Sequence, residues 1–252
     1  MYKILANTLF LGKEIIYMPS CHSTNELARE LANNPATREG TLVITDHQTK
    51  GKGQRGNVWE SESGSNITMS LILKPTFVRA KDQFTLNMIT SLAVSQALQD
   101  LPFEKPVSVK WPNDVLLNEK KVCGILIENA LTSNFIASSI VGIGLNVNQK
   151  RVAFTKATSM AIEYEVEFEI QALIEAIVTR LEQSYLVLKS GDVDLIKSRY
   201  LQNLFGFNRF RNYKSEYVFE GQITNVDENG RLVIKTDRGM KVFDFKEVEF
   251  LY

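Results

Sequence analysis

Residues 107 to 148 constrain the fold more than any other stretch of this chain. VSVK at 107–110 alternates, WPND at 111–114 reads as a turn from its proline and Asn-Asp content, and VLL resumes extended structure. NEKK turns again into VCGILIENA, and FIASSIVGIGLNVN at 135–148 is a further long run rich in isoleucine and valine. Turns this short join neighbouring strands, so the middle of the protein is a meander of sheet. Two helical periods border it. DQFTLNMITSLAVSQALQD at 82–100 has a broad apolar stripe suited to a well-buried helix, and FEIQALIEAIVTRLEQSYLVLKS at 168–190 is the clearest helix of all. DVDLIKSRYLQNL predicts another helix, while EIIYMP at 14–19, TLVIT at 41–45 and NITMSLIL predict further strands. In SCHSTNELARELANN, Ser23 and Glu26 have capping-box spacing at the start of a helix whose apolar face is Leu27, Ala28, Leu31 and Ala32. From Gly206 onward, short alternating strands separated by DENG and DRG turns predict a small all-β unit of 47 residues. The expected class is α+β, with one unit over 1–205 and a second over 206–252.

The stretch GKGQRGNVW at 51–59 is the least ordinary in the chain. Its glycines match the dinucleotide fingerprint literally, but NVWESESGSN has no helical period and the next regular segment is a strand, so a Rossmann site is a poor fit. A phosphate loop fails too, because Asn57-Val58 stands where Lys-Ser or Lys-Thr is required. The physics survives both exclusions. Glycines let backbone N–H groups approach a ligand closely, and Lys50, Lys52 and Arg55 oppose Asp46 alone, so the loop is suited to an anion.

Elsewhere the charge is balanced, 29 basic against 29 acidic residues, which gives no global field for nucleic acid or anionic lipid. Nucleic-acid and membrane partners are therefore not expected. Cys21 and Cys123 are the only cysteines, with only His22 and His47 to assist them, so neither a disulfide framework nor a protein-held metal is expected. MYKILANTLFLGKEI lacks the apolar core of a signal peptide, and a cytoplasmic protein is expected.

STN at 23, GKGQRGNVW at 51, KWPND at 110, KVCGILIE at 121 and GIGLNVN at 142 follow one another in order. Together they resemble the biotin protein ligases, and the C-terminal β unit lies where that family carries an SH3-like barrel. The resemblance implies a mixed-sheet catalytic domain of the class II aminoacyl-tRNA synthetase type. It also implies a two-step reaction in which biotin and MgATP form biotinyl-5′-AMP, and a lysine of a biotin carboxyl carrier protein domain then takes the biotin. Carried onto this chain, the resemblance assigns Ser23, Thr24, Asn25, Gln48, Gly51, Lys52, Gly53, Gly124 and Ile125 to biotin. It assigns Gln54, Arg55, Trp59, Asn113 and Asn146 to ATP or the adenylate, with Trp59 covering the adenine. Lys110 would bridge the carboxylate and the α-phosphate, and Arg55 would join it as a catalytic cation. Magnesium would enter with ATP rather than on protein ligands.

Two departures from the family pattern stand out. The family usually has arginine as the fourth residue of the glycine loop, where this chain has Gln54, so the phosphate clamp passes to Arg55 or Lys52 or is weakened. About 20 residues precede STN, too few for a helix-turn-helix, which implies the short form without operator binding. Lipoate ligases and octanoyltransferases share the fold, but KWPND with GKGQRGNVW favours biotin. A non-catalytic nucleotide- or carrier-binding module is the other reading; Lys110 speaks against it. The C-terminal unit, with eight charges of each sign, is expected to assist without lining the biotin pocket. A homodimer would use an exposed strand edge such as 135–148, although no residue marks it as an interface.

Overall fold

A computed structural model describes residues 2–152 and 155–251, and of Arg55 the backbone only. Its larger sheet contains β1 (Ile15–Cys21), β2 (Leu42–Gln48), β3 (Ile67–Leu73), β4 (Val107–Lys110), β5 (Asp114–Leu117), β6 (Lys120–Thr132) and β7 (Phe135–Leu145). Their spatial order is β1-β2-β3-β7-β6-β5-β4. A single helix, α1 (Thr24–Ala32), connects β1 to β2 and lets them run parallel, whereas the remaining neighbours are antiparallel. The meander expected over 107–148 is present as β4 to β7. Its first turn is tight enough that Lys110 and Asp114 are register partners.

β7 is hydrogen-bonded to β3 on one side and β6 on the other, so 135–148 is not the exposed edge expected of it. A strand enclosed on both sides accounts for its isoleucine and valine content. β3 likewise alternates as its sequence suggests, yet Thr68 and Ser70 on its polar side are as buried as its apolar residues. They face a second layer made by α1, whose Ala28 packs on Val43, Ile72 and Ile140. The other face of the sheet joins the main core with α2 (Phe84–Gln99), α4 (Ile170–Lys189) and α5 (Val193–Asn203). α2 is buried around most of its circumference, in keeping with its broad apolar stripe.

The capping box expected at α1 does not form. Ser23 sits at the N-cap in extended conformation, but its side chain makes no cap hydrogen bond, and Glu26 is drawn away into an ion pair with Lys52. A short helix without a useful sequence period, α3 (Met160–Tyr164), is capped by Ser159, whose hydroxyl accepts from the Ile162 N–H.

The second sheet is antiparallel and contains β8 (Phe210–Lys214), β9 (Val218–Val226), β10 (Leu232–Thr236), β11 (Gly239–Phe243) and β12 (Glu249–Leu251). The order β11-β10-β9-β8-β12 is in keeping with an SH3-like unit. It is fastened to the larger sheet at β4, where the Phe205 N–H donates to the Val109 carbonyl at 2.7 Å. Trp111 adds an Nε1–H bond to the Gly230 carbonyl at 2.8 Å and packs on Phe245, with ring centroids 5.3 Å apart.

The N-terminal loop is held by one buried carboxylate. Glu182 of α4 accepts the backbone N–H groups of Leu9, Phe10 and Leu11 at 2.6, 2.8 and 2.9 Å. Three charge-assisted bonds converge there, and removing their acceptor orphans three donors at once. Glu182→Ala is therefore expected to destabilise the protein by about 3 kcal/mol in denaturant unfolding. A loss under about 0.5 kcal/mol, the scale of an ordinary surface substitution, would show that the loop does not depend on this carboxylate.

Candidate functional site

α1 begins against the sheet, and its first turn presents Thr24 and Asn25 toward β3 and β7. Asn25 lies so close to β7 that a Cβ on Gly142 would fall 2.2 Å from its Oδ1. Next to it, Gly124 and Gly144 are register partners on β6 and β7. Absent side chains at these positions leave a hollow on the sheet face. The result is a cleft whose lining includes Ser23, Thr24, Asn25, Gln48, Trp59, Gly124, Ile125 and Gly144.

GKGQRGNVW closes over this hollow as a narrow hairpin. The Gly53 N–H donates to the Asn57 carbonyl at 2.7 Å, the Trp59 N–H donates to the Gly51 carbonyl at 3.0 Å, and Lys52 and Val58 are bridge partners between them. A 3-10 turn at Gln54–Gly56 forms the tip, with Gly56 in the left-handed region at φ +86°. A side chain at Gly51 would collide with the Trp59 carbonyl at 2.2 Å. Lys52 meets Glu26 of α1, and its ammonium holds the Glu26 carboxyl below the usual range. The hairpin thereby directs Trp59 onto the glycine floor, where a Cβ on Gly144 would lie 2.4 Å from the indole and one on Gly124 3.0 Å.

Of the expected biotin-side residues, Ser23, Thr24, Asn25, Gln48, Lys52, Gly53, Gly124 and Ile125 all line the cleft; Gly51 stands behind it at the hairpin stem. Gln54, Trp59 and Asn113 line it too. Asn113 is clasped to β6, its amide donating to the Ile125 carbonyl while the Ile125 N–H donates to the Asn113 carbonyl at 3.0 Å. The side chain of Arg55 lies outside the described residues. Asn146 is buried beyond the lining and donates its amide to the Thr158 carbonyl at 3.0 Å. Thr158 in turn donates its N–H to the Lys121 carbonyl at 2.9 Å. Asn146 therefore buttresses the strand that carries Lys121.

Lys110 does not line the cleft; its ammonium lies 5.5 Å over the Phe250 ring. The lysine that does so from this side is Lys121, which pairs with Asp114 at 2.7 Å and stands 5.8 Å over the Trp59 ring. Lys121 heads the KVCGILIE motif, a position from which the alternation of β6 alone does not reveal a role. Lys246 also lines the cleft, in contrast to the expected separation of the C-terminal unit from it. The turn that carries Lys246 follows Phe245, which is anchored on Trp111 and on Phe84.

Neither cysteine offers a nucleophile here, since burial pushes both the Cys21 and Cys123 thiols up. Among the described residues no group of three or more His, Cys, Asp or Glu side chains is arranged to hold a metal ion, and no helix is long and apolar enough to cross a membrane.

The contact between Trp59 and Gly144 is open to test. Gly144→Ala is expected to lift the indole off the floor and shift its emission to the red, with Trp59→Phe supplying the Trp111 background. An unshifted spectrum would show that Trp59 does not rest there in solution.

The biotin/lipoate A/B protein ligase family model matches residues 17–146. The bifunctional ligase/repressor BirA of Bacillus subtilis is 33% identical over 248 residues, covering 96% of this chain and 75% of that protein. The biotin–[acetyl-CoA-carboxylase] ligase of Mycobacterium tuberculosis is 33% identical over 129 residues, 50% of this chain and 47% of its own. Among solved structures, the biotin protein ligase of Aquifex aeolicus in complex with biotin and ATP superposes with a TM-score of 0.78 at 27% identity, covering 95% of this chain and 99% of that one. The motifs, the sheet order and these matches agree: this chain belongs to the biotin/lipoate A/B protein ligase family, among its biotin protein ligases.

Proposed function

We propose that the protein activates biotin with ATP and transfers it to a lysine of a biotin carboxyl carrier protein domain, as a cytoplasmic enzyme. In the first step the biotin carboxylate attacks the α-phosphorus of ATP, displacing pyrophosphate and leaving biotinyl-5′-AMP. In the second, a carrier lysine amine attacks the biotinyl carbonyl, forming the amide and expelling AMP. The observation that carries this reading is the arrangement of a single cleft. It has Thr24 and Gln48 as polar groups at one α1 end, an apolar and glycine-lined floor, and Lys121 as a cation on the β6 side.

The Gln48 amide has a defined direction. Its Oε1 accepts the Thr24 backbone N–H at 2.7 Å, and a backbone N–H only donates, so the remaining amide face of Gln48 is a donor. A urea, with one acceptor and two donors, is well served by a donor set beside a hydroxyl. Met69, Ile125 and Ile143 supply apolar lining for the bicycle, the composition expected of a small-molecule site, and Trp59 is proposed to cover the adenine. Negative charge concentrates on the carboxylate and α-phosphate as their bond forms, and a preorganised cation there lowers the barrier selectively. Lys121, which lines the cleft on the β6 side, is proposed to be that cation. Lys110, the strand partner of Asp114 with its ammonium over the Phe250 ring, is proposed to add to the positive field. Magnesium comes with the nucleotide, and Arg55 is proposed to complete the phosphate clamp beside Gln54.

Biotin-dependent exchange of pyrophosphate into ATP tests the first step, and transfer of label from biotin to a purified carrier domain tests the second. Exchange supported by lipoate but not biotin would overturn the reading. Lys121→Ala is expected to slow adenylate formation on the order of a hundredfold to a thousandfold while leaving biotin affinity within about tenfold. Lys110→Ala is expected to slow the same step. Near-normal single-turnover adenylation in both variants would remove the lysines from the mechanism.

A further inference from the structure

Thr24, Ser70 and Asn25 bring three side-chain oxygens into a chain. Ser70 Oγ lies 2.7 Å from Thr24 Oγ1 and 2.7 Å from Asn25 Oδ1, and Ser70 is fully buried. Two hydroxyl protons serve these two contacts, and their direction follows from chemistry. The far end of the Asn25 amide meets the Leu126 carbonyl at 3.2 Å and a Glu128 carboxylate oxygen at 2.8 Å. A carbonyl only accepts, so that end is the NH2 group and the end facing Ser70 is the oxygen. An amide oxygen cannot donate, so Ser70 must give it the proton. The short Thr24–Ser70 contact then requires the Thr24 proton to point at Ser70, since two bare oxygens at 2.7 Å would repel. Gln48 Oε1, 3.2 Å from Thr24 Oγ1, is the longer and displaced alternative for that proton.

We infer that Ser70 is a specificity-determining positioning residue: it takes the Thr24 proton away from the cleft and leaves Thr24 Oγ1 as an acceptor, so the site demands an N–H donor from its ligand at that point. The inference rests on the reading of the cleft as a biotin site, and it adds the reason that a urea N–H would be recognised rather than a ring oxygen. Asn25 and Glu128 touch no ligand in this scheme. They set the direction of the relay, and a hydrogen-bonded chain enclosed away from water transmits that direction to the cleft.

The test compares biotin with the two carbamate analogues in which one or the other ring N–H is replaced by oxygen, each titrated calorimetrically. Wild-type protein is expected to bind biotin and to bind the carbamate that turns its oxygen to Thr24 on the order of a hundredfold more weakly, because two acceptors face each other. In Ser70→Ala the Thr24 proton is released toward the ligand, and the preference is expected to fall below about tenfold. A merely structural role for Ser70 would lower both affinities together and leave their ratio unchanged. If Ser70→Ala does not fold, Ser70→Cys, similar in volume and a weak acceptor, carries the same comparison with an intermediate ratio expected. Full wild-type discrimination in the folded variant, or equal binding of biotin and both carbamates by the wild type, would overturn the relay. Failure of the wild type to bind biotin at all would instead overturn the reading of the cleft.

Discussion

The contact between the first turn of α1 and the bare backbone of β7 governs the rest of the site. Asn25 reaches across Gly142, donates to the Leu126 carbonyl and Glu128, and accepts from Ser70. Any side chain at 142 would push the helix start away from the sheet. With the helix so seated, Thr24 meets Gln48 at the end of β2, and Glu26 meets Lys52 of the hairpin. One close approach thus organises the polar end of the cleft and orients the loop that covers it. It also explains why Ser23 is not used as a helix cap: the first turn is held by the sheet rather than by its own side chains.

The opposite end of the cleft depends on charge and on docking of the second sheet. Asp114 and Lys121 pair across β5 and β6, which places a compensated cation at the glycine floor without the desolvation cost of an unpaired one. Trp111 turns in the other direction, bonding to Gly230 and packing on Phe245, so the residues of KWPND serve both faces of the junction. Lys246 follows Phe245 directly. A unit whose own charges cancel in sequence can still deliver one of them to the cleft.

Much of the architecture was legible from local pattern. The meander from 107 to 148, the three long helices and the late strands follow from apolar period and turn chemistry, which act over a few residues and need no partner. Five ordered motifs also pointed to the correct family, and most of their residues do line one cleft. The failures have a common cause. Ser23 and Glu26 have the spacing of a capping box, but Lys52, distant in sequence, competes for Glu26. The run at 135–148 looks like an edge or an interior strand equally well until its neighbours are known.

What the sequence by itself determined is the set of elements, the family and the short list of residues from which the site is drawn, because periodicity and motif spacing are properties of the chain. Which lysine enters the cleft was decided only in three dimensions. Lys110 and Lys121 are equally charged and both belong to motif stretches, and strand register sends Lys121 over Trp59 while Lys110 lies over Phe250. The direction of the Thr24 proton was likewise invisible in sequence, since it depends on a serine, an asparagine and a carbonyl contributed by three different elements. Local physics writes the parts; the donor and acceptor polarity of a site exists only once non-local neighbours have removed the alternatives.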